Sequence, residues 1–453
     1  MVFSKSSKAM YLLKCFKMKY SIYNTNISIT PLSLLLYNAV TDKFIVIKKQ
    51  ALNNLKIDCP TGEESLLYRM LKENGFVVGD EANEKENVIQ SGKSFCDNKD
   101  DYYLIVNPTL NCNFRCWYCY ENHSSKAVMT KETLDRVVLF VKKIVREGKV
   151  NSLMISFFGG EPLLYYKKTI EPIIDTVRLE LQHNPKLRIS FHFTSNGYLV
   201  NDYVLGHLLK GDEKKSFQIT LDGNRSYHDK IRFSASGKGT YERIIGNIKR
   251  LLSSGIFVGL RFNYTKENIL SFKDVISDIK KFSQNELRLL NIDFQKVWQE
   301  KDVKPNDYEV ENTIDSFREL FPQVISHYNH ICNYRNPCYA DLKNECVINF
   351  NGDVYKCTAR DFNPGKRLGR LLENGDIEWF DTEIYNKRLN SKFSNKDCLS
   401  CKIFPLCGGG CSQNAVENVN SGCIKGLSEE EKDKIVLTRF YNNIVLNKEK
   451  NDV

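Results

Sequence analysis

The sequence predicts an α/β fold, and three observations predict it. Between residues 101 and 300, apolar strand-like runs alternate with helical patterns about six times, which is typical of a parallel sheet with right-handed crossovers. Beyond residue 330 the cysteines become frequent and regularly spaced, which indicates a metal-binding C-terminal domain. Short strand patterns and one helical pattern precede the alternating region, so we also expect a small N-terminal α+β domain.

These patterns divide the chain into seven segments. The N-terminal domain shows strand patterns at 20–29, 33–37 and 44–47, a helical pattern at 63–72 and an extended run at 76–78, and a polar stretch follows it. A final helical pattern at 428–446 is expected to pack back on the alternating region, residues 101–300. The expected segments are an extension (1–19), the α+β domain (20–78), a linker (79–100), the alternating region (101–300), a connector (301–331), the cysteine-rich domain (332–425) and a C-terminal helix (426–453).

Three cysteines lie close together after the first strand of the alternating region. Cys112, Cys116 and Cys119 have CxxxCxxC spacing and follow the apolar run 102–106. A structural zinc needs four ligands, one more than these three thiols provide. Three thiols can instead hold three irons of a [4Fe-4S] cube and leave the fourth iron open. Half of a zinc site, or a chance cluster among 15 cysteines, is the alternative. The position after a strand, where α/β barrels keep their chemistry, favours the iron-sulfur cluster.

With the aromatic Tyr118 before its last thiol, this loop resembles the CxxxCxΦC signature of radical S-adenosylmethionine (SAM) enzymes. Three further turns, each ending a predicted strand, follow in the order of that family. Taken singly, each is an ordinary turn, and their shared order supports the resemblance. They are Gly159-Gly160-Glu161-Pro162, similar to the GGEP motif, Thr194-Ser195-Asn196-Gly197, similar to the TNG stretch, and Thr220-Leu221-Asp222-Gly223.

The resemblance implies a partial barrel of six βα units, open on one side. In the family, the open iron binds the amino and carboxylate groups of SAM, and a reduced cluster cleaves it to methionine and a 5′-deoxyadenosyl radical that abstracts hydrogen from substrate. The SAM contacts implied by the matching motifs are Tyr118, Gly159, Gly160, Glu161, Pro162, Ser195, Asn196, Thr220 and Arg232.

Among these implied SAM contacts, Thr220 differs from the residue of the family, and Arg232 has an alternative partner. The family has a serine at the position of Thr220, where it contacts the ribose, and threonine keeps the hydroxyl. Arg232 would pair with the SAM carboxylate, and its alternative is a surface ion pair with Asp229. We expect a structural role for the nearby His228.

The cysteines beyond residue 330 resemble the SPASM domain. Cys338 precedes Gly352 by thirteen intervening residues and Cys357 follows after four, and a C-x2-C-x5-C-x3-C run comes next. The resemblance implies two auxiliary [4Fe-4S] clusters, giving three clusters in all. The first would use Cys332, Cys338, Cys357 and Cys411, and the second Cys398, Cys401, Cys407 and Cys423.

Two alternatives remain for these cysteines. Cys346 could replace one ligand of the first auxiliary cluster. A zinc ribbon could instead use Cys398, Cys401, Cys407 and Cys411, but it leaves the other four thiols unexplained. Because fully ligated cubes have no free iron, electron transfer is their expected task.

The amino-acid composition limits the partners and the cellular location that we expect. The 65 basic and 55 acidic residues give a formal charge of +10, but the basic residues are scattered and the expected clusters are anionic, so we expect no nucleic-acid partner. The positive field suits an acidic peptide or an acidic electron-donor protein, of the flavodoxin or ferredoxin type. No apolar run is long enough for a membrane span, and the first residues lack a secretion signal, so we expect a cytoplasmic protein.

The resemblance implies a peptide maturase that crosslinks a ribosomally made precursor peptide. Its N-terminal domain would capture the leader of that peptide or merely cap the barrel. The alternative is an anaerobic sulfatase-maturing enzyme, which uses an aspartate directly after the third ligand of the first auxiliary cluster. That position is Thr358 here, and Asp361 is displaced. A zinc protein that binds nucleic acid and a pure iron-sulfur electron carrier are the alternatives from other classes, and neither needs GGEP or Arg232.

Overall fold

The computed structural model describes residues 17–55, 57, 63–234, 236–300, 307–321, 334–417 and 422–451. Nearly all of the expected N-terminal extension lies outside these ranges. So do parts of the expected connector and, with them, Cys332.

The N-terminal domain has the predicted mixture of short strands and a helix. Strands β2, β3 and β4 form one antiparallel sheet, while β1 pairs with β5. The turn between β3 and β4 contains Asp42 in the left-handed region (φ 57°), which aspartate tolerates. The elements are β1 (Met18–Tyr20), β2 (Asn24–Ser28), β3 (Ser33–Asn38), β4 (Lys43–Lys48), α1 (Lys49–Asn54), α2 (Glu63–Glu73) and β5 (Val77–Gly79).

The segment expected as a linker contains a helix, α3 (Glu84–Cys96), so that expectation was wrong. The side chain of Asn83 caps it by accepting a hydrogen bond from the Glu86 amide. Val88, Gly92 and Cys96 recur every fourth residue and are buried. The polar composition that suggested a linker belongs to the exposed faces of this amphipathic helix.

The alternating region forms the predicted α/β architecture. Six neighbouring parallel strands follow one another in chain order, from β6 to β11. Helices connect them, and the sheet does not close, which agrees with a partial barrel. The elements are β6 (Asp101–Val106), α4 (Lys131–Glu147), β7 (Ser152–Phe157), α5 (Glu171–Glu180), β8 (Arg188–Ser195), α6 (Asp202–Leu208), β9 (Lys214–Leu221), α7 (Arg225–Ile231), α8 (Tyr241–Ser253), β10 (Phe257–Tyr264), α9 (Phe272–Ile279), α10 (Gln284–Leu287) and β11 (Leu290–Lys296).

Aromatic side chains at matching positions hold neighbouring strands together. Phe157, Phe193 and Phe217 are register partners on β7, β8 and β9 and are fully buried. Their rings stack, with centroids 5.2 Å and 4.6 Å apart. Such pairs stabilise a sheet beyond the area they bury, so the strand ends that carry the site residues are held rigidly.

The cysteine-rich domain continues the barrel sheet. Its first strand, β12, pairs in parallel with β6, and three antiparallel strands follow outward. A turn at Gly352 (φ 83°) joins β12 to β13. The domain's elements are β12 (Glu345–Ile348), β13 (Asp353–Tyr355), β14 (Gly369–Leu371), β15 (Ile377–Trp379), α12 (Ile384–Phe393), α13 (Lys396–Leu399), α14 (Phe404–Cys407) and α15 (Ser412–Glu417). Before it, α11 (Tyr308–Arg318) packs in the barrel core, and after it comes the C-terminal helix α16 (Glu429–Asn451).

Helix α16 packs between the N-terminal sheet and the cysteine-rich domain, which corrects the expectation that it returns to the barrel. Ile435 and Val436 are buried in a core with Tyr37 and residues of the cysteine-rich domain. Arg439 Nε donates to Asp42 Oδ1 at 2.7 Å. An apolar stripe predicts that a helix is covered but does not identify its partner. Among the described residues, no helix is both long and apolar enough to cross a membrane.

Two helical glycines give a test of how closely α3 packs on Phe393 of the cysteine-rich domain. A Cβ on Gly92 of α3 would lie 2.6 Å from Phe393 Cζ, whereas one on Gly246 of α8 meets nothing within 4 Å. We expect Gly92→Ala to lower the free energy of unfolding by about 1–2 kcal/mol, because overpacking outweighs the gain in helix propensity. The matched change Gly246→Ala should raise it by about 0.5–1 kcal/mol. Denaturant unfolding measures both, and stabilisation by Gly92→Ala would show that α3 does not pack this closely.

Candidate active site at the mouth of the barrel

The main cavity lies at the carboxyl ends of the parallel strands and has a volume of about 530 Å³. Residues of the cysteine-rich domain, among them Tyr339 and Thr358, close one side of it. Glu161 and Pro162 lie behind its wall. The other residues predicted at this end of the barrel all line it: Cys112, Cys116, Tyr118, Cys119, Gly159, Gly160, Ser195, Asn196, Thr220 and Arg232.

The three thiols of the cluster loop face this cavity. Burial raises the pKa of Cys112 to about 12 and raises the pKa values of Cys116 and Cys119 as well. Phe114 is buried against Tyr198, with ring centroids 5.7 Å apart, and fixes the middle of the loop. Thiols with raised pKa values bind a metal as thiolates only with release of protons.

The GGEP turn is held against the cluster loop by backbone contacts. The Gly160 amide donates to the Thr109 carbonyl at 3.0 Å, and the Glu161 amide donates to the Asn111 carbonyl at 2.9 Å. A Cβ on Gly159 (φ 109°) or on Gly160 would overlap the carbonyl oxygens of Thr109 and Asn111, respectively. Both glycines are therefore required by the close approach of the two loops.

The carboxylate of Glu161 joins the ends of β7 and β8. One oxygen accepts from Ser195 Oγ at 2.8 Å and from the Leu163 amide at 3.0 Å, and the other accepts from the Asn196 amide at 2.7 Å. The side chain is fully buried, and burial raises its pKa to about 7 in spite of these donors. Glu161 thus positions the two polar residues that end β8.

A buried group of Tyr118, Asp222 and Arg232 joins the cluster loop to the end of β9. Tyr118 OH donates to Asp222 Oδ1 at 2.7 Å, Arg232 Nη2 donates to Tyr118 OH at 2.6 Å, and Arg232 Nε pairs with Asp222. The alternative pairing of Arg232 with Asp229 was wrong, because Asp229 accepts from the amides of Thr240 and Tyr241. Asp222 was missed as a site residue, although it lies in the TLDG stretch.

His228 lies behind this group and has a structural position. Its Nδ1 lies 3.4 Å from the Asp222 amide and its Nε2 lies 3.2 Å from Thr240 Oγ1. The ring is fully buried, and burial lowers its pKa well below the usual value. A neutral histidine that links two backbone segments agrees with the expected structural role.

Three of the four thiols expected for the first auxiliary cluster lie in the described residues. Burial raises the pKa of Cys357, and the neighbouring Cys411 thiol raises it further. Tyr339 lies close enough to Cys338 and Cys357 for both thiols to raise its pKa, after burial as the main cause. The structure therefore brings these three thiols to one region, and their predicted partner Cys332 lies outside the described ranges.

Cys346 occupies a different environment from these thiols. It lies in β12 with its Sγ 3.5 Å from Tyr102 OH, inside the barrel core. Burial raises its pKa to about 12. Its expected alternative role as a ligand of the first auxiliary cluster is therefore not supported by its position.

The thiols expected for the second auxiliary cluster line one small cavity of about 80 Å³. They are Cys398, Cys401, Cys407 and Cys423. Burial raises the pKa of Cys398 to about 11, with further contributions from the other three thiols. The zinc-ribbon alternative placed Cys411 in this set, but the structure places that thiol beside Cys357.

The family motifs did not predict several of the residues that line the cavity. Glu121 is only 8% exposed, and neither of its carboxylate oxygens has a hydrogen-bond partner among the described residues. Arg261 and Asn263 point inward from β10, and strand alternation could have identified them as polar residues of one face. Trp298 stacks on Tyr120 at the rim, with ring centroids 5.6 Å apart.

Comparison with known proteins identifies the barrel. Residues 106–279 match the family described as the Radical SAM superfamily. Residues 106–279 therefore form a radical SAM domain. This radical SAM chain is 24% identical over 354 residues to the cysteine-type anaerobic sulfatase-maturating enzyme of Clostridium novyi (strain NT), a match covering 70% of this chain and 90% of the relative.

Solved structures share the radical SAM fold of this enzyme. The structure of anSMEcpe with bound AdoMet and Kp18Cys peptide matches with a TM-score of 0.58 and 20% identity, over 77% of this chain and 99% of that one. SuiB of Streptococcus suis, bound to precursor peptide SuiA, matches with a TM-score of 0.51 and 14% identity, over 91% of this chain and 100% of that one. The first fold match leaves about a quarter of this chain uncovered, and the second leaves about a tenth.

The side chains present fit the cofactors of a radical SAM enzyme. Three cysteines, and no fourth among the residues lining the cavity, match a cube with one open iron. Four cysteines around the small cavity match a fully ligated cube. The main cavity has the size of a site for a nucleoside-sized ligand.

We expect the affinity of this radical SAM enzyme for SAM to depend on the ionisation of Glu161. Burial raises the pKa of Glu161 to about 7, so the free side chain is protonated below that pH. A bound ammonium favours the carboxylate, so binding releases a proton, and affinity should rise from pH about 5 to about 7 and level off above. Calorimetry in buffers of different ionisation enthalpy measures both effects. A Glu161→Gln variant should bind weakly at every pH, and an equal slope in that variant would exclude Glu161 as the titrating group.

Proposed function

We propose that this chain is a radical SAM peptide maturase that abstracts hydrogen from a ribosomally made precursor peptide and leaves an oxidative crosslink. The observation that carries the proposal is the extent of the match to SuiB. Because that match leaves only about a tenth of this chain uncovered, it must include part of residues 20–78. SuiB was solved with a precursor peptide, and a shared N-terminal domain supports a similar substrate class here.

The cavity supplies places for SAM and for part of a peptide. Glu161 would hold the ammonium group, Arg232 the carboxylate and Thr220 the ribose. When bound, SAM and a reduced cluster supply a 5′-deoxyadenosyl radical for hydrogen abstraction. The protein positions the reacting groups: Tyr118 and Asp222 fix Arg232, and Tyr339 and Thr358 close the wall where substrate would enter.

Eight of the nine cysteines of the C-terminal domain, all but Cys346, support two auxiliary [4Fe-4S] clusters in addition to the catalytic one. A crosslink removes two hydrogens from the substrate, so one electron must leave the product radical. The first auxiliary site would lie next to the cavity, because Thr358 and Ala359 line the cavity and directly follow Cys357. This site would accept that electron, and a flavodoxin- or ferredoxin-type protein would supply the electron that starts the reaction.

The N-terminal sheet would bind the leader of the precursor by adding a strand at one edge. Tyr23 OH of this domain donates to the Leu399 carbonyl at 3.1 Å, within the loop that carries Cys398 and Cys401. The domain therefore packs on the cysteine-rich domain. Capture of a leader there would place the rest of the peptide on the same molecule as the cavity.

A sulfatase-maturing activity is the second candidate, and the similarity to the Clostridium novyi enzyme favours it. The structure argues against it at one position. Thr358 follows Cys357, and its Oγ1 lies 2.6 Å from Tyr339 OH. Asp361 pairs with Lys366 at 2.7 Å and is not among the residues that line the cavity. Among the described residues, threonine therefore takes the place of the carboxylate that this activity is expected to use.

An accurate mass of the short peptide encoded beside this gene tests the proposal. The peptide is incubated anaerobically with SAM and reductant, together with the intact enzyme or a Cys116→Ala variant. Loss of hydrogens only with the intact enzyme would support a crosslinking maturase, and fragmentation would locate the bond. A parallel sample holds a sulfatase-derived peptide with a target cysteine. Formation of an aldehyde there, with no change in the first peptide, would favour the second candidate.

A further inference from the structure

Arg261 is a cation that faces the main cavity without an acidic partner. Its Nε donates to Asn263 Oδ1 at 2.9 Å, and the described residues give it no ion pair within 4.0 Å. The most deeply buried cations of the described chain are all paired with carboxylates. These pairs are Arg232 with Asp222, Lys356 with Glu345, and Arg388 and Lys392 with Asp341.

The nearby carboxylates do not neutralise Arg261. Asp293 is its register partner on β11, but both Asp293 oxygens accept from Gln295 Nε2 at 2.9 Å. Glu121 is the one carboxylate among the residues that line the cavity, and its oxygens are enclosed and make no ion pair within the described chain. The Nη groups of Arg261 are therefore available to an anion that enters the cavity.

Two further cations line the same cavity: Arg232, which pairs with Asp222, and Lys296 at the end of β11. His192 lines the same cavity, accepts or donates at Ser216 Oγ over 2.8 Å, and has its pKa lowered to about 4 by burial. It is neutral near pH 7. Gln218 is uncharged. Arg261 thus presents a guanidinium in a partly enclosed polar wall, where a hydrogen-bonded charge pair is stronger than at the surface.

The position of Arg261 relates it to the reacting atoms. It is the register partner of Thr220 on the neighbouring strand, so the two residues lie at one level of the barrel, about 4.8 Å apart between strands. Thr220 is the proposed ribose contact. An anion held by Arg261 would therefore lie in the part of the cavity that Thr220 lines.

We propose that Arg261 binds a carboxylate of the peptide substrate, next to the residue from which hydrogen is abstracted. Arginine recognises a carboxylate with two parallel hydrogen bonds, which fixes orientation as well as position. The carboxylate belongs either to an aspartate or glutamate side chain or to the C-terminus of the peptide. This inference rests on the proposed function and adds a substrate class to it: peptides with an acid at or beside the modified residue.

The test compares three forms of the peptide encoded beside the gene. One is unchanged, a second set has one acidic residue at a time replaced by its amide, and a third has an amidated C-terminus. With intact enzyme, one change should lower kcat/KM about 10- to 100-fold, the range for loss of a charged hydrogen bond. With Arg261→Gln the same change should have no further effect. Equal losses in both enzymes, or no effect of any change, would overturn the inference.

Two controls keep the outcomes separate. Arg225→Gln removes an arginine that is exposed and pairs with Glu242 outside the cavity, and it should leave product formation unchanged. Thermal unfolding and iron content show whether Arg261→Gln is folded and loaded. Arg261→Lys should keep part of the preference, because the charge remains and the two-pronged geometry is lost.

A binding measurement decides the case in which no peptide product forms at all, which would count against the proposed function. Saturation-transfer NMR compares N-acetyl-aspartate N-methylamide with its asparagine counterpart, in the presence of SAM. Stronger binding of the aspartate form by the intact enzyme, lost in Arg261→Gln, would support a carboxylate site independently of peptide modification. Equal binding of both compounds would overturn it.

Discussion

Replacing Cys116 with alanine is expected to abolish SAM cleavage and to remove about a third of the iron, because a cube held by two thiolates is not retained. Cys116 lines the main cavity together with Cys112 and Cys119, and no other cysteine among the residues lining it can replace it. The auxiliary sites do not share this thiol, so their iron should stay. Iron analysis and Mössbauer spectra after anaerobic purification measure the loss, and 5′-deoxyadenosine formation measures cleavage.

The matched control is Cys346→Ala. This cysteine is fully buried, whereas Cys116 is half-buried, and it lies in the barrel core against Tyr102, away from the predicted cluster ligands. The variant should keep full iron content and lose only the stability of a small core truncation, about 1 kcal/mol. Loss of a whole cluster in Cys346→Ala, or full iron in Cys116→Ala, would contradict the ligand assignment.

Replacing Arg232 with methionine is expected to lower the free energy of unfolding by about 3–5 kcal/mol and to eliminate SAM binding. The substitution leaves Asp222 as a buried carboxylate without its ion-pair partner, which is the costly way to break such a pair. Tyr118 also loses the hydrogen bond from Arg232 Nη2, so the aromatic residue of the cluster loop is less firmly held. Denaturant unfolding and calorimetry with SAM measure the two effects.

Two further variants separate stability from binding. Arg225→Met removes an arginine of the same helix, α7, whose side chain is 67% exposed, and it should cost less than about 1 kcal/mol. The double variant Arg232→Met with Asp222→Asn should regain part of the lost stability but no SAM binding. If the double variant bound SAM, Arg232 would act only by neutralising Asp222.

The barrel could be predicted because its strands and helices place apolar residues at the spacings typical of each. Residues 189–195 carry Ile189, Phe191 and Phe193 at every second position, and α4 repeats its apolar residues every three or four positions. The resemblance to the SPASM domain also implied the grouping of the second auxiliary site, where all four thiols share one small cavity. These patterns depend on the spacing of residues along the chain, which can be read directly from the sequence.

The parts that the sequence did not reveal depend on contacts between distant segments. Arg261 is an ordinary polar residue of a strand until the fold leaves it facing a cavity without a carboxylate. Asp222 was not recognised because its partner Arg232 lies ten residues away and Tyr118 more than one hundred. The polar face of α3 hid its packing on Phe393, since composition does not report which side of a helix is covered.

The pairing of β12 with β6 has a consequence for long-range electron transfer. Strand β6 leads directly into the loop of Cys112, and β12 lies between Cys338 and Cys357, so both sets of thiols are anchored to one hydrogen-bonded ladder. Tunnelling rates fall steeply with distance, and hinged domains vary that distance as they move. Here the spacing is a property of strand register, so motion of one domain against the other cannot lengthen the gap without breaking the sheet.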